Sequence, residues 1–197
     1  MARLVAIEHL TLDGVMQGPA RPDEDTRDGF VYGGWSAAGN DPLMQQVIGE
    51  QMGAGWALLA GRTTYQDFAK VWPARKPNPM AEALDRVEKF VVSRTLTEPL
   101  PWQNSVLLTG DAADAVAQLK REHQRTLIVF GSGVLLQSLM PHNLIDTYVL
   151  QIHPIVLGTG RRFFPAGTAL DKLDLIDSKH TKTGVIITTY QPKQSGQ

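Results

Sequence analysis

Cysteine is absent from the 197 residues, and its absence excludes disulfides, thiolate metal sites and thiol nucleophiles together. Net charge is nearly absent as well. Nineteen Lys and Arg stand against twenty Asp and Glu, a formal charge of -1, without the basic excess that phosphate backbones or anionic membranes attract. Nucleic acid and membrane surfaces are therefore not expected partners. No long apolar run opens the chain, because Arg3 and Glu8 interrupt its first stretch before it reaches the length of a signal peptide or a membrane span. A cytoplasmic location is the default expectation. Metal-ligand spacing is lacking too: His9, His123, His142, His153 and His180 form no H-E-x-x-H pattern, so no metal site is expected, and His153 before Pro154 reads as a packed strand residue. Ser93 and Ser132 lack the G-x-S-x-G elbow of a hydrolase nucleophile.

What is present suits one buried sheet. Apolar residues make up 43% of the chain, enough for a core, and no polar linker divides it, so residues 1–192 are expected as a single domain with a frayed tail at 193–197. Short apolar or β-branched runs at 4–12, 56–60, 90–92, 106–108 and 127–130 predict strands. Helical spacing predicts helices at 42–53 with Asn40 as cap, at 63–68, at 81–86, at 112–122 capped by Asp111, and at 134–140 ended by Pro141. After residue 147 the helical pattern stops and 147–153, 173–179 and 185–191 read as strands. The expected class is α/β, a mostly parallel central sheet with helices on both faces and an antiparallel C-terminal edge.

Two predicted strand-to-helix junctions carry chemistry, Gly61-Arg62-Thr63-Thr64 and Gly131-Ser132-Gly133. Each brings bare backbone amides and the positive end of a helix to the carboxyl end of a buried strand, the arrangement that accepts phosphate; the alternative is a pair of tight turns with no ligand. The spacing is not the G-x-G-x-x-G of a Rossmann domain. Arg62 and Arg94 flank this region, and a guanidinium fork suits a terminal phosphate such as the 2′-phosphate of NADPH, unless these are solvated surface arginines. Asp13, leaving the first strand, is the first candidate for orienting or protonating a substrate, with an Asp-Gly turn residue as the alternative. Trp35 and Trp72 sit in segments suited to stacking on a flat ligand.

In order along the chain, Thr11-Leu12-Asp13-Gly14, Leu59-Ala60-Gly61-Arg62-Thr63-Thr64-Tyr65, Val91-Val92-Ser93-Arg94, Val129-Phe130-Gly131-Ser132-Gly133 and Pro154-Ile155-Val156-Leu157-Gly158-Thr159-Gly160 resemble the dihydrofolate reductase-like family. The branch most resembled includes the reductase domain of the bifunctional riboflavin-biosynthesis deaminase-reductases. The resemblance implies NADPH as cofactor, a small planar heterocycle (pterin, aminopyrimidine or aminouracil) as substrate, and a homodimer. It implies that Gly61, Arg62, Thr63 and Thr64 meet the pyrophosphate and adenosine side, that Ser93 and Arg94 border the 2′-phosphate, and that Gly131, Ser132, Gly133, Val134 and Leu135 meet the pyrophosphate and nicotinamide side. Asp13 and Gly14 then lie near the nicotinamide. Two departures keep a nucleotide-binding protein without reductase activity as the alternative: no helix carboxylate matches the position of the pterin-protonating residue, and Phe130 precedes the glycine turn where the riboflavin-pathway reductases carry Glu.

Overall fold

The computed structural model describes residues 1–168 and 172–193; most of the tail expected at 193–197 lies outside the described residues. Among the described residues eight strands and five α-helices follow one another: β1 (Leu4–Thr11), α1 (Pro42–Met52), β2 (Trp56–Gly61), α2 (Arg62–Val71), α3 (Pro79–Arg86), β3 (Lys89–Val92), β4 (Ser105–Leu108), α4 (Ala112–Glu122), β5 (Thr126–Phe130), α5 (Gly133–Leu139), β6 (Thr147–His153), β7 (Leu173–His180) and β8 (Ile186–Pro192). The chain clusters into two compact units. One comprises Met1–Val5 and Met52–Ile145, the other Ala6–Gln51 and Asp146–Gln197.

The first unit is a parallel α/β layer with strand order β4-β3-β2-β5. Its central strands β2 and β5 are short continuous apolar runs because both faces are covered: Ala57, Leu58 and Leu59 of β2 and Leu127, Ile128 and Val129 of β5 are fully buried. Register brings the carboxyl ends of β2 and β3 level, with Gly61 opposite Val92, and the amino ends of β2 and β5 level, with Trp56 opposite Thr126. The helices follow their caps. Asp111 accepts from the amides of Ala113 and Asp114 to start α4, and Asn78 accepts from Met80 and Ala81 to start α3, with Pro79 in its first turn where a missing N–H costs nothing. The buried stripe of α4 is Ala113, Val116 and Leu119.

The second unit holds most of β1, α1 and the strands β6, β8 and β7, in the order β1-β6-β8-β7. β8 runs antiparallel to both β6 and β7, which is the antiparallel C-terminal edge expected of the class. At α1 the cap differs from the expectation: Asp41, not Asn40, accepts from the Leu43 amide, since Asp41 immediately precedes Pro42 and its short carboxylate folds back over the first turn. The long segment between β1 and α1 is not loose. Asp25 pairs with Arg27 at 2.7 Å and with Arg161, Gln17 bridges the Arg27 carbonyl and the Arg161 amide, and the Trp35 indole N–H donates to the Gln17 carbonyl.

Candidate active site

In the first unit, the predicted junctions become one structure. β2 ends in Gly61 and α2 begins at Arg62 without a side-chain cap, so the amides of its first turn have no intrahelical acceptor and no capping oxygen. β5 ends in Phe130, and Gly131 and Ser132 both take left-handed backbone angles (φ 65° and 66°) before α5 starts, again without a side-chain cap. Serine rarely adopts that conformation. Here its hydroxyl accepts from the Gly61 amide at 2.9 Å, tying the end of β2 to the start of α5. Gly131 has only the Thr64 hydroxyl within 4.0 Å of where a Cβ would sit. Glycine there answers the positive φ, which costs a substituted residue about 1–2 kcal/mol, rather than crowding.

β3 lies beside β2, and the turn after it is built by Ser93, whose buried hydroxyl accepts from the amides of Thr95 and Leu96. That turn leaves Arg94 exposed, as Arg62 is exposed at the start of α2. The structure thus gathers Gly61, Arg62, Thr63, Thr64, Ser93, Arg94, Gly131, Ser132, Gly133, Val134 and Leu135 at the carboxyl ends of three consecutive strands, β3, β2 and β5. Val134 is 66% exposed on the first turn of α5, an apolar side chain facing outward beside uncapped amides. The residues fit a phosphorylated dinucleotide: uncapped amides and two exposed guanidinium groups on one edge supply what a pyrophosphate and a further phosphate need. A separate cavity of about 740 Å³ runs along β4 and α4, lined by Val106, Leu108, Asp111, Asp114 and Gln118 among others, and takes in none of these residues.

In the second unit, Asp13 follows β1 in a turn closed by the Gly14 amide on the Thr11 carbonyl, with Gly14 at φ 80°. Its carboxylate accepts from the Thr11 hydroxyl at 2.6 Å, the Leu157 amide at 3.2 Å and the Gly158 amide at 2.8 Å, with the Arg162 guanidinium 3.8 Å away. The Thr11 hydroxyl bond first, then the two amides, hold its pKa down at about 2. An ionised carboxylate is an acceptor only, so Asp13 orients the 155–158 turn. Two sequence motifs far apart in the chain, Thr11 to Gly14 and Pro154 to Gly160, are thereby one interlocked corner.

His153 is the packed strand residue that the sequence predicts, at the end of β6, but sequence reasoning missed the two titratable residues inside β1 and the pairing of His9 with His153. Glu8 is 3% exposed, its Oε1 has no hydrogen-bond partner, and burial, reinforced by the charge of Glu24, pushes its carboxyl up to about 8. His9, on the opposite face of the strand, places Nδ1 2.9 Å from Nε2 of His153. Burial and the neighbouring imidazole lower His9 to about 4, and burial lowers His153. The signal was present: two consecutive titratable residues in an otherwise apolar strand must face opposite sides of the sheet, so a strand covered on both faces takes both largely out of water.

Comparisons with known proteins place the fold and the family. The family model described as RibD C-terminal domain matches residues 4–187. An uncharacterized protein YyaP of Bacillus subtilis is 23% identical over 137 residues, covering 68% of this chain and 72% of its own. Among solved structures, a putative riboflavin biosynthesis protein from a Shewanella species superposes with a TM-score of 0.64 at 22% identity, covering 98% of this chain and 100% of that one. Dihydrofolate reductase from Enterococcus faecalis complexed with NADP(H) superposes at 0.58 and 14% identity, covering 98% and 97%. A diaminohydroxyphosphoribosylaminopyrimidine deaminase/5-amino-6-(5-phosphoribosylamino)uracil reductase from Thermotoga maritima superposes at 0.63 and 12% identity, where 97% of this chain spans 56% of that one. The fold is that of the dihydrofolate reductase-like proteins, and with the family model matching nearly its whole length, the chain belongs to the RibD C-terminal domain family.

Proposed function

We propose that this chain is an NADPH-dependent reductase of a small planar heterocycle, a pterin or an aminopyrimidine or aminouracil, working as a cytoplasmic homodimer. One observation supports the cofactor above the rest: the first-turn amides after β2 and β5 are uncapped, the Ser132 hydroxyl joins the two junctions by accepting from the Gly61 amide, and Arg62 and Arg94 are exposed on the same strand ends. In this reading the first-turn amides of α2 and α5 hold the pyrophosphate, Thr63 and Thr64 add hydroxyl donors, and Ser93 shapes the turn that presents Arg94 to the 2′-phosphate. When bound, NADPH supplies the hydride. Asp13 acts as a positioning residue, keeping the 155–158 turn in one conformation.

Arg62 and Arg94 supply the discrimination between NADPH and NADH. NADPH is expected to bind the parent more tightly, and the double change Arg62→Ala with Arg94→Ala to erase the preference, at about 1.5–3 kcal/mol for each charge-assisted contact. Titration calorimetry with both cofactors measures it. Equal affinities in the parent would remove the assignment. Oxidation of NADPH against a panel of pterins and aminouracils tests the reaction itself.

A further inference from the structure

β1 is buried along its whole length except at one position. Leu4 to Glu8, Leu10 and Thr11 are covered, and His9 alone keeps part of its surface open. That opening leads to a prepared group. The His9 Nδ1 meets Nε2 of the 2% exposed His153 at 2.9 Å, and the Trp35 ring stands edge-on to His153 at 5.3 Å. Gly39 makes room for the second ring: a Cβ there would lie 2.5 Å from His153 Nδ1, closer than carbon and nitrogen ever pack. Trp35 is fixed by its bond to the Gln17 carbonyl, and Gln17 by its bonds to the Arg27 carbonyl and Arg161 amide. Two aliphatic side chains would fill this place without the desolvation that two imidazoles incur, so packing alone does not account for the pair.

Its chemistry follows from proton counting. Each neutral ring carries one N–H. If His153 Nε2–H donates to His9 Nδ1, the His9 proton sits on Nε2 and the open nitrogen is a donor. If His9 Nδ1–H donates to His153 Nε2, the open nitrogen is an acceptor. His9 changes from donor to acceptor when a proton crosses this 2.9 Å bond to its Nδ1, its Nε2 proton leaves for the bound group, and His153 gains a proton on Nδ1. We propose that His9 is a substrate-contacting group, hydrogen-bonding through Nε2 to a ring nitrogen of a planar nitrogen heterocycle, with His153 as the positioning residue that sets its polarity and passes it a proton. The proposal rests on the reductase reading for the reaction but not for the binding. As the ring nitrogen gains a lone pair, the His9 Nε2–H bond breaks and the new N–H forms, His9 Nδ1 takes the Nε2 proton of His153, and His153 Nδ1 is reprotonated from solvent.

The test uses the full chain labelled with ¹⁵N at histidine and 5,6-diaminouracil as the probe. Long-range ¹H–¹⁵N spectra resolve the ring nitrogens of all five histidines. Addition of the probe should shift both His9 and His153, while His123, His142 and His180 stay in place, because only a coupled pair transmits a contact at one ring to the other. His9→Gln, read on protein that melts as the parent does, should weaken the probe by about 10-fold or more and leave NADPH affinity unchanged. In His153→Phe the probe should still shift His9, now without a second responding ring. Unmoved His9 and His153 resonances at millimolar probe, or undiminished probe affinity in His9→Gln, would overturn the proposal. Shifts of both rings in a protein that oxidises no NADPH would uphold the site and sink the reductase reading alone.

Discussion

Asp13 shows how much one carboxylate can decide at a turn. Three donors converge on it, from Thr11, Leu157 and Gly158, and all three need an acceptor. Asn at this position keeps one carbonyl oxygen and turns an NH₂ toward at least one N–H, so a bond is lost and two donors face each other. Asp13→Asn is therefore expected to lower stability by about 1–2 kcal/mol, read as a reduced urea midpoint with unchanged slope, while NADPH affinity stays that of the parent. A parent-like midpoint would show that the 155–158 turn holds itself. The Asp-Gly pair in the sequence announces a turn, and Gly14 at φ 80° bears that out. That the same carboxylate also holds a segment 144 residues away was not legible, because nothing local in a sequence reports which distant amides a side chain meets.

At the scale of elements, the strands and helices were readable where a run was uniformly apolar or helically spaced, and less so where a polar residue was buried among them. Residues 112–122 and 147–153 fold as the patterns predict. The apolar run at 90–92 predicts a strand from Phe90; the strand starts at Lys89, which is wholly buried. Its ammonium donates to the carbonyls of Asp85, Val87 and Gln103 and lies 4.5 Å from the centre of the Trp102 ring. It thus closes the carboxyl end of α3 and the approach to β4, work that side-chain hydrophobicity does not reveal. Lys89→Met preserves the stem and removes the donors; the Asp85 carbonyl keeps the side-chain amides of Gln103 and Asn104, but the Val87 and Gln103 carbonyls lose the ammonium, which should cost about 2–4 kcal/mol in denaturant unfolding. An unchanged midpoint would mean that water satisfies them. The residues proposed to hold the cofactor stand out in the sequence for a different reason: glycines and arginines at strand ends are dictated by backbone geometry and charge, both of which are local.

For the whole molecule, the buried titratable groups fix how stability varies with pH, and their signs differ. Glu8 rises from an ordinary 4.5 to about 8 on folding, so between those values the folded state binds more protons than the unfolded one, and stability falls as pH rises. His9 drops from 6.5 to about 4, so there the unfolded state binds more protons and stability falls as pH decreases. The two slopes oppose each other from pH 4.5 to 6.5 and leave Glu8 alone from 6.5 to 8. Lys89 is lowered from 10.5 to about 8, mainly by burial, so above pH 8 the unfolded state again holds the extra proton and stability rises with pH. The expected curve has a trough near pH 8, with a falling limb from pH 6.5 of about 1 kcal/mol per pH unit. Urea unfolding at intervals between pH 6 and pH 10 draws it. Glu8→Gln should flatten the falling limb and raise stability at pH 7, since the amide carries no ionisation to suppress, while leaving the rising limb intact. Stability that climbs steadily from pH 6.5 to 8 in the parent, or a falling limb that survives in Glu8→Gln, would mean that the Glu8 carboxyl is solvated in the native protein and that its unpartnered oxygen reaches water.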